Sequence, residues 1–114
     1  MSMPPKLTDK DADALREFVS AVRDALGPDL VELKLFGSKA RGDDDPESDI
    51  DVLVVVQSGG DPTGEDRVLD IAFRTSLAHD VVIAPVVMER SIVEHPVWRL
   101  SGLLESVAKE GVTL

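Results

Sequence analysis

Two linked segments, Phe36-Gly-Ser-Lys-Ala-Arg-Gly42 and Ser48-Asp-Ile-Asp-Val-Leu-Val-Val-Val56, decide how the rest of the chain is read. Ile50–Val56 is a β-branched run, apolar on both faces apart from Asp51. Such a run suits an interior strand covered on both sides. Val31–Phe36 alternates apolar and polar residues, which predicts a second strand. Gly37-Ser38 breaks that strand, and Lys39–Gly42 reads as a short turn with room for one helical turn. Asp43–Ser48 is polar and carries Pro46, so it is expected to be a loop. The informative unit is therefore strand, glycine turn, loop, strand.

Upstream, Thr8 fits a helix N-cap, with Asp9 and Asp11 in the first turn where the helix dipole favours anions. Leu15, Phe18, Val19, Val22 and Leu26 form one apolar stripe at helical spacing, and Gly27-Pro28 stops the helix. Downstream, Gln57–Gly64 is a loop and Glu65–Ala78 a helix with Val68, Leu69, Ala72 and Leu77 facing inward. Asp80–Met88 reads as a third strand, in which Pro85 points to an edge or a bulge. Val97–Lys109 follows as the last helix, with Pro96 before it and Gly111 after it. The order α-β-β-α-β-α predicts a small α/β (α+β) domain, a mixed sheet flanked by helices. No repeat or composition break divides residues 1–114, so a single domain is expected.

Composition narrows the function. The 114 residues hold 22 acidic and 12 basic side chains, a formal net charge of −10, and no cysteine. The absence of cysteine excludes a disulfide framework and a Cys-based zinc site, and it fits a reducing compartment. The acidity argues against nucleic acid as a partner, because such binding needs clustered Lys/Arg. Met1 to Lys10 has no apolar run resembling a signal peptide, and no apolar stretch approaches the roughly 20 residues of a membrane span. The expectation is a cytoplasmic protein that neither crosses nor binds a membrane.

The chemistry lies at the ends of the two central strands. The N–H groups of Gly37 and Ser38 and the Ser38 hydroxyl can converge on a phosphate, as in other anion-binding nests. Arg41, three residues on, can reach the same anion with a bidentate fork. Asp49 and Asp51 are two apart at a strand start, so their carboxylates share one face. Like charges that close repel unless a cation lies between them, and Mg²⁺ binds through one or two carboxylates plus substrate phosphates. Together these features suggest metal-dependent phosphoryl or nucleotidyl transfer. Asp80, opening the next strand, is the candidate third carboxylate; Glu89 lies at that strand's far end. Three acids could hold two metals, or one metal and a base for the attacking hydroxyl. His79 reads as a helix-end residue, His95 as a loop residue, and Trp98 as a core or interface anchor.

Gly37-Ser38-Lys39-Ala40-Arg41-Gly42, followed by Ser48-Asp49-Ile50-Asp51-Val52-Leu53, resembles the signature of the polymerase-beta-like nucleotidyltransferase superfamily. The short chain and the Gly-Ser-x-Ala-Arg-Gly form are most similar to the minimal nucleotidyltransferases, the MntA-type antitoxin family. The resemblance implies a small nucleotidyltransferase fold in which the Gly37-Ser38 turn binds the triphosphate of ATP. It implies Asp49, Asp51 and Asp80 as catalytic acids and Mg²⁺ ligands. It further implies AMP transfer from ATP to a protein hydroxyl, typically on a HEPN-domain ribonuclease toxin. Two other readings remain: a small-molecule transferase of the aminoglycoside type that builds its acceptor pocket in a homodimer, and an antitoxin that acts by binding alone.

Overall fold

The computed structural model describes residues 7–41, 49–57 and 62–114; of Ser38, Arg41, Pro62, Thr63 and Arg99 it describes the backbone alone. The expected loop Asp43–Ser48 and residues 58–61 of the expected loop Gln57–Gly64 lie outside the described residues, and Pro62–Gly64 already belong to the helix that follows. Helix α1 spans Asp9–Leu26, β1 Leu30–Phe36, α2 Ser38–Arg41, β2 Ile50–Val56 and α3 Pro62–His79. Strand β3 spans Ile83–Glu89, α4 Arg90–Glu94, α5 Gly102–Glu110 and β4 Val112–Thr113. Short 3₁₀ turns at Gly27–Asp29 and Trp98–Leu100 precede β1 and α5.

One four-stranded mixed sheet runs in the order β3-β2-β1-β4. β2 pairs antiparallel with β1 and parallel with β3, and β4 adds antiparallel to β1. The parallel pair needs a crossover, which α3 supplies. Pro85, which has no N–H to donate, sits on the edge strand β3 as its chemistry requires.

The two faces of the sheet follow the alternation of β2. Ile50, Val52, Val54 and Val56 point to a core built with Leu33 and Leu35 of β1 and with α1 and α3. Leu53 and Val55 point to the other face, packing with Phe36, Leu104 and Val107 under α5. The α1 stripe is buried as its spacing predicts: Ala14, Leu15, Phe18 and Val22 are all at 0% exposure. Thr8 caps the helix by accepting a hydrogen bond from the Asp11 N–H at 3.1 Å. Burying a large apolar side chain of this kind contributes roughly 1.5–3 kcal/mol.

Several expectations need correction. Leu69 and Leu77 do not face inward: they and Phe73 are exposed by 46, 69 and 65%. Val68 and Ala72 do face inward as expected, and Thr75 completes the inner face of α3, with Ile71 at its margin. Leu69, Phe73 and Leu77 recur every fourth residue, so they form a stripe of their own beside it. The last helix begins at Gly102 rather than Val97, because Ser101 takes the N-cap role and accepts from the Leu104 N–H at 3.3 Å. Trp98 lies in the 3₁₀ turn ahead of it, half-exposed and outside the core. The short elements α4 and β4 are additions to the expected order, and β3 starts at Ile83, three residues after Asp80.

Candidate functional site

The glycine turn and the Asp-x-Asp segment meet at one edge of the sheet. Phe36, the last residue of β1, is the register partner of Asp51 in β2. Gly37 follows at once with φ +75°, in the left-handed region where a side chain is strained. A Cβ built on Gly37 would collide with the Asp51 carboxylate. Glycine is thus required here twice, by its dihedral and by the acid packed against it. The carbonyl of Gly37 accepts from the Ala40 N–H at 3.1 Å, which turns the chain into α2.

Asp51 shares its face of β2 with Leu53 and Val55, the α5 side, and is half-buried at the end of that row. Asp49 precedes the strand on the same alternation and is exposed. Along an extended chain the two residues are roughly 6.6 Å apart. The structure therefore brings Gly37 and Asp51 together, with the start of α2 following at Ser38 and Asp49 two residues before Asp51 in the chain. The Ser38 hydroxyl and the Arg41 guanidinium lie outside what is described.

Asp80 is not brought to this pair. Beside Asp51 in the parallel register stands Ala84, and the N–H of Ile50 donates to the carbonyl of Val82 at 2.8 Å. Asp80 occupies the turn before β3 with φ +53°. Its carboxylate is fully exposed and lies 3.7 Å from the ammonium of Lys10 in α1. That helix covers the sheet face opposite to Asp51. Among the described residues no three His, Cys, Asp or Glu side chains gather as a metal cluster. Glu89 ends β3, at the far edge of the sheet from Asp49.

The donor set suits a hard cation that takes part of its shell from a substrate. Two carboxylates on one face, one of them pressed against a backbone turn, fit Mg²⁺ completed by phosphate oxygens. They do not fit a closed all-protein cage.

Both histidines make contacts away from the acid pair. The His79 ring contacts the Glu17 carboxylate, tying α3 to α1. The His95 Nδ1 accepts from the Val97 N–H at 3.2 Å within its own loop. One contact escaped the sequence: Lys39 reaches Asp11 with Nζ–Oδ2 2.8 Å, both side chains buried. An acid in a helix's first turn looks like a dipole partner, and no spacing rule links positions in α1 and α2.

Comparison with known proteins gives the family and the fold. The family of nucleotidyltransferase domains matches residues 15–107. A candidate protein adenylyltransferase of Methanocaldococcus jannaschii is 36% identical over 80 residues, 70% of this chain and 81% of that protein. Among solved structures, a toxin–antitoxin complex with AMP-PNP aligns with TM-score 0.61 and 21% identity, over 93% of this chain and 72% of that one. A MntA–HepT toxin–antitoxin structure aligns with TM-score 0.54 and 20% identity, over 90% of this chain and 69% of that one. A minimal nucleotidyltransferase aligns with TM-score 0.57 and 24% identity, over 94% of this chain and 97% of that one. At these identities the solved structures speak for the fold.

Proposed function

The chain belongs to the nucleotidyltransferase domain family, and from that premise we propose that it transfers AMP from ATP to a hydroxyl of a protein partner, a HEPN-type ribonuclease toxin. The acceptor oxygen attacks the α-phosphorus of ATP and forms the new P–O bond. The bond from that phosphorus to the β-phosphate bridging oxygen breaks, and pyrophosphate leaves. The acceptor's proton passes to a carboxylate of the site.

In this reading Asp49 and Asp51 hold Mg²⁺, which when bound neutralises charge on the phosphate oxygens. The N–H groups of Gly37 and Ser38, with Arg41, hold the triphosphate. Gly37 allows the Asp51 carboxylate to stand against the turn without a side chain between them. That contact supports the reading, because the turn proposed to receive phosphate stands directly against one of the acids proposed to hold the metal. Asp80, the third acid of the sequence pattern, enters as a separate proposal to be tested, since its carboxylate faces Lys10.

The partner class is supported by the company the fold keeps: structures solved as toxin–antitoxin assemblies, one with an ATP analogue. The formal charge of −10 suits approach to a basic protein and disfavours nucleic acid. For the localisation one fact bears: among the described residues no helix is long and apolar enough to cross a membrane.

The test is mass spectrometry of a HEPN-type partner after incubation with this protein, ATP and Mg²⁺. The expected result is a gain of one or more AMP units that vanishes with Asp49→Ala. No gain with any divalent metal overturns the transferase reading. Retained neutralisation of the toxin by Asp49→Ala without any mass gain would identify binding alone as the mode of action.

A further inference from the structure

We propose that the buried Asp11–Lys39 ion pair is a positioning device for the glycine turn, and that Lys39 does not itself bind substrate. The proposal rests on the reading of Gly37–Arg41 as the turn that receives the triphosphate. A lysine in such a segment would ordinarily be taken for a phosphate ligand. Here its side chain is 4% exposed and runs inward to a carboxylate that is 3% exposed, at 2.8 Å.

The physics separates placement from stability. A buried ion pair gives back in attraction about what it costs in desolvation, so an apolar pair of equal volume would hold the fold as well. What apolar packing lacks is direction. The Asp11 carboxylate is fixed because its residue lies in the first turn of an 18-residue helix, with its own N–H bonded to the Thr8 cap. Lys39 lies two residues beyond Gly37, in a helix of only four residues. One turn of helix cannot hold itself, because nucleation costs more than its few hydrogen bonds return. The Ala40 N–H to Gly37 carbonyl bond closes the turn but does not orient it against the sheet. The anchor from Asp11 supplies that orientation.

The test uses the double variant Asp11→Leu/Lys39→Met, which removes both charges at similar volume. Its thermal unfolding midpoint is expected to stay near that of the wild type. Amide hydrogen exchange at Ala40 is expected to quicken about tenfold or more, as local opening becomes easier. The KM for ATP in AMP transfer is expected to rise about tenfold while kcat changes less than about threefold, since positioning of substrate is what is lost. Lys39→Arg, which keeps the pair, is expected to stay near wild type in both readouts.

A folded double variant with unchanged Ala40 exchange and unchanged KM overturns the proposal. A raised KM in Lys39→Arg equal to that of the double variant overturns it too, because it would make the lysine a ligand. Should the double variant fail to fold, Asp11→Asn gives the same exchange reading with the volume kept, and unchanged exchange there is again fatal. A wild-type protein that transfers no AMP would overturn the function proposed above. The exchange arm still decides the positioning role.

Discussion

Strands β2 and β3 lie side by side and start at the same edge of the sheet, each led in by an aspartate, yet the two starts differ. At the start of β2, Asp51 sits within the strand on its α5 side and packs against a glycine turn that has no space for a side chain. At the start of β3, Asp80 sits in a left-handed turn three residues before the strand and faces Lys10 of α1, on the sheet's other side. Both read in sequence as an acid opening a hydrophobic strand. What separates them is the face each acid points to and what stands opposite in the neighbouring strand. A carboxylate becomes a candidate ligand through its register partner, here Phe36 and the turn that follows it. The hydrophobic run behind it does not decide the matter.

The comparison breaks most sharply at Asp51. Asp51→Ala is expected to lower AMP transfer about a thousandfold or more, since a metal-holding acid is worth several kcal/mol in the transition state. The fold should survive, because Asp51 is half-buried at the end of an otherwise apolar row. Initial-rate measurements on the purified variant check this, and activity near wild type would remove Asp51 from the site.

Gly37→Ala comes next. It places a Cβ where the Asp51 carboxylate lies and forces a left-handed dihedral on a side chain. The strain costs about 1–2 kcal/mol of stability, read as a lower midpoint in denaturant unfolding. Displacing the carboxylate by even about 1 Å is expected to cost about a hundredfold in rate. An active Gly37→Ala would show that the close contact is incidental.

Smaller still is the effect of writing an acid into β3 where the register asks for one. Ala84 is the parallel partner of Asp51, so Ala84→Asp sets two carboxylates side by side. Without divalent metal the like charges are expected to lower the melting temperature by about 5 °C, a cost near 1 kcal/mol for a domain of this size. Millimolar Mg²⁺ should restore it. A melting temperature insensitive to Mg²⁺ in this variant would argue that the edge holds no cation.

Most of the scaffold was legible because it is written in local periodicity. The α1 stripe, the β2 run and the glycine break each depend on neighbours within a few residues. The misjudged parts depend on distant ones. Of the four α3 residues read as inward, Val68 and Ala72 are buried while Leu69 and Leu77 lie on a neighbouring stripe, and only packing against α1 and β3 selects between the two. Val112–Thr113 is too short to show alternation, and it becomes a strand because β1 offers a free partner for Lys34 and Leu35. The candidates Gly37, Asp49 and Asp51 stand in one contiguous pattern of the sequence, and the contact of Gly37 with Asp51 follows from the pairing of β1 with β2. The inward turn of Lys39 was not legible, because its partner Asp11 is 28 residues away. Nor was the face of Asp80, which a single left-handed residue decides.

That residue supplies the mildest prediction and the cleanest separation of the two strand starts. Asp80→Gly removes the carboxylate and at the same time relieves a positive φ that glycine adopts freely. If Asp80 is what its surroundings make it, a turn residue in a screened surface pair with Lys10, little is lost. The melting temperature is then expected to stay level or rise, and AMP transfer to remain within about threefold of wild type. A metal-holding acid would behave otherwise, since even outer supports of a metal site cost about 10–100-fold when removed. The two outcomes differ in scale for rate, so one variant, with its melting temperature as the check on folding, decides whether the lead-in to β3 belongs with the start of β2. A large loss of activity with undiminished stability would place Asp80 in the reaction and require the turn before β3 to swing across the sheet edge toward Asp49 when substrate binds.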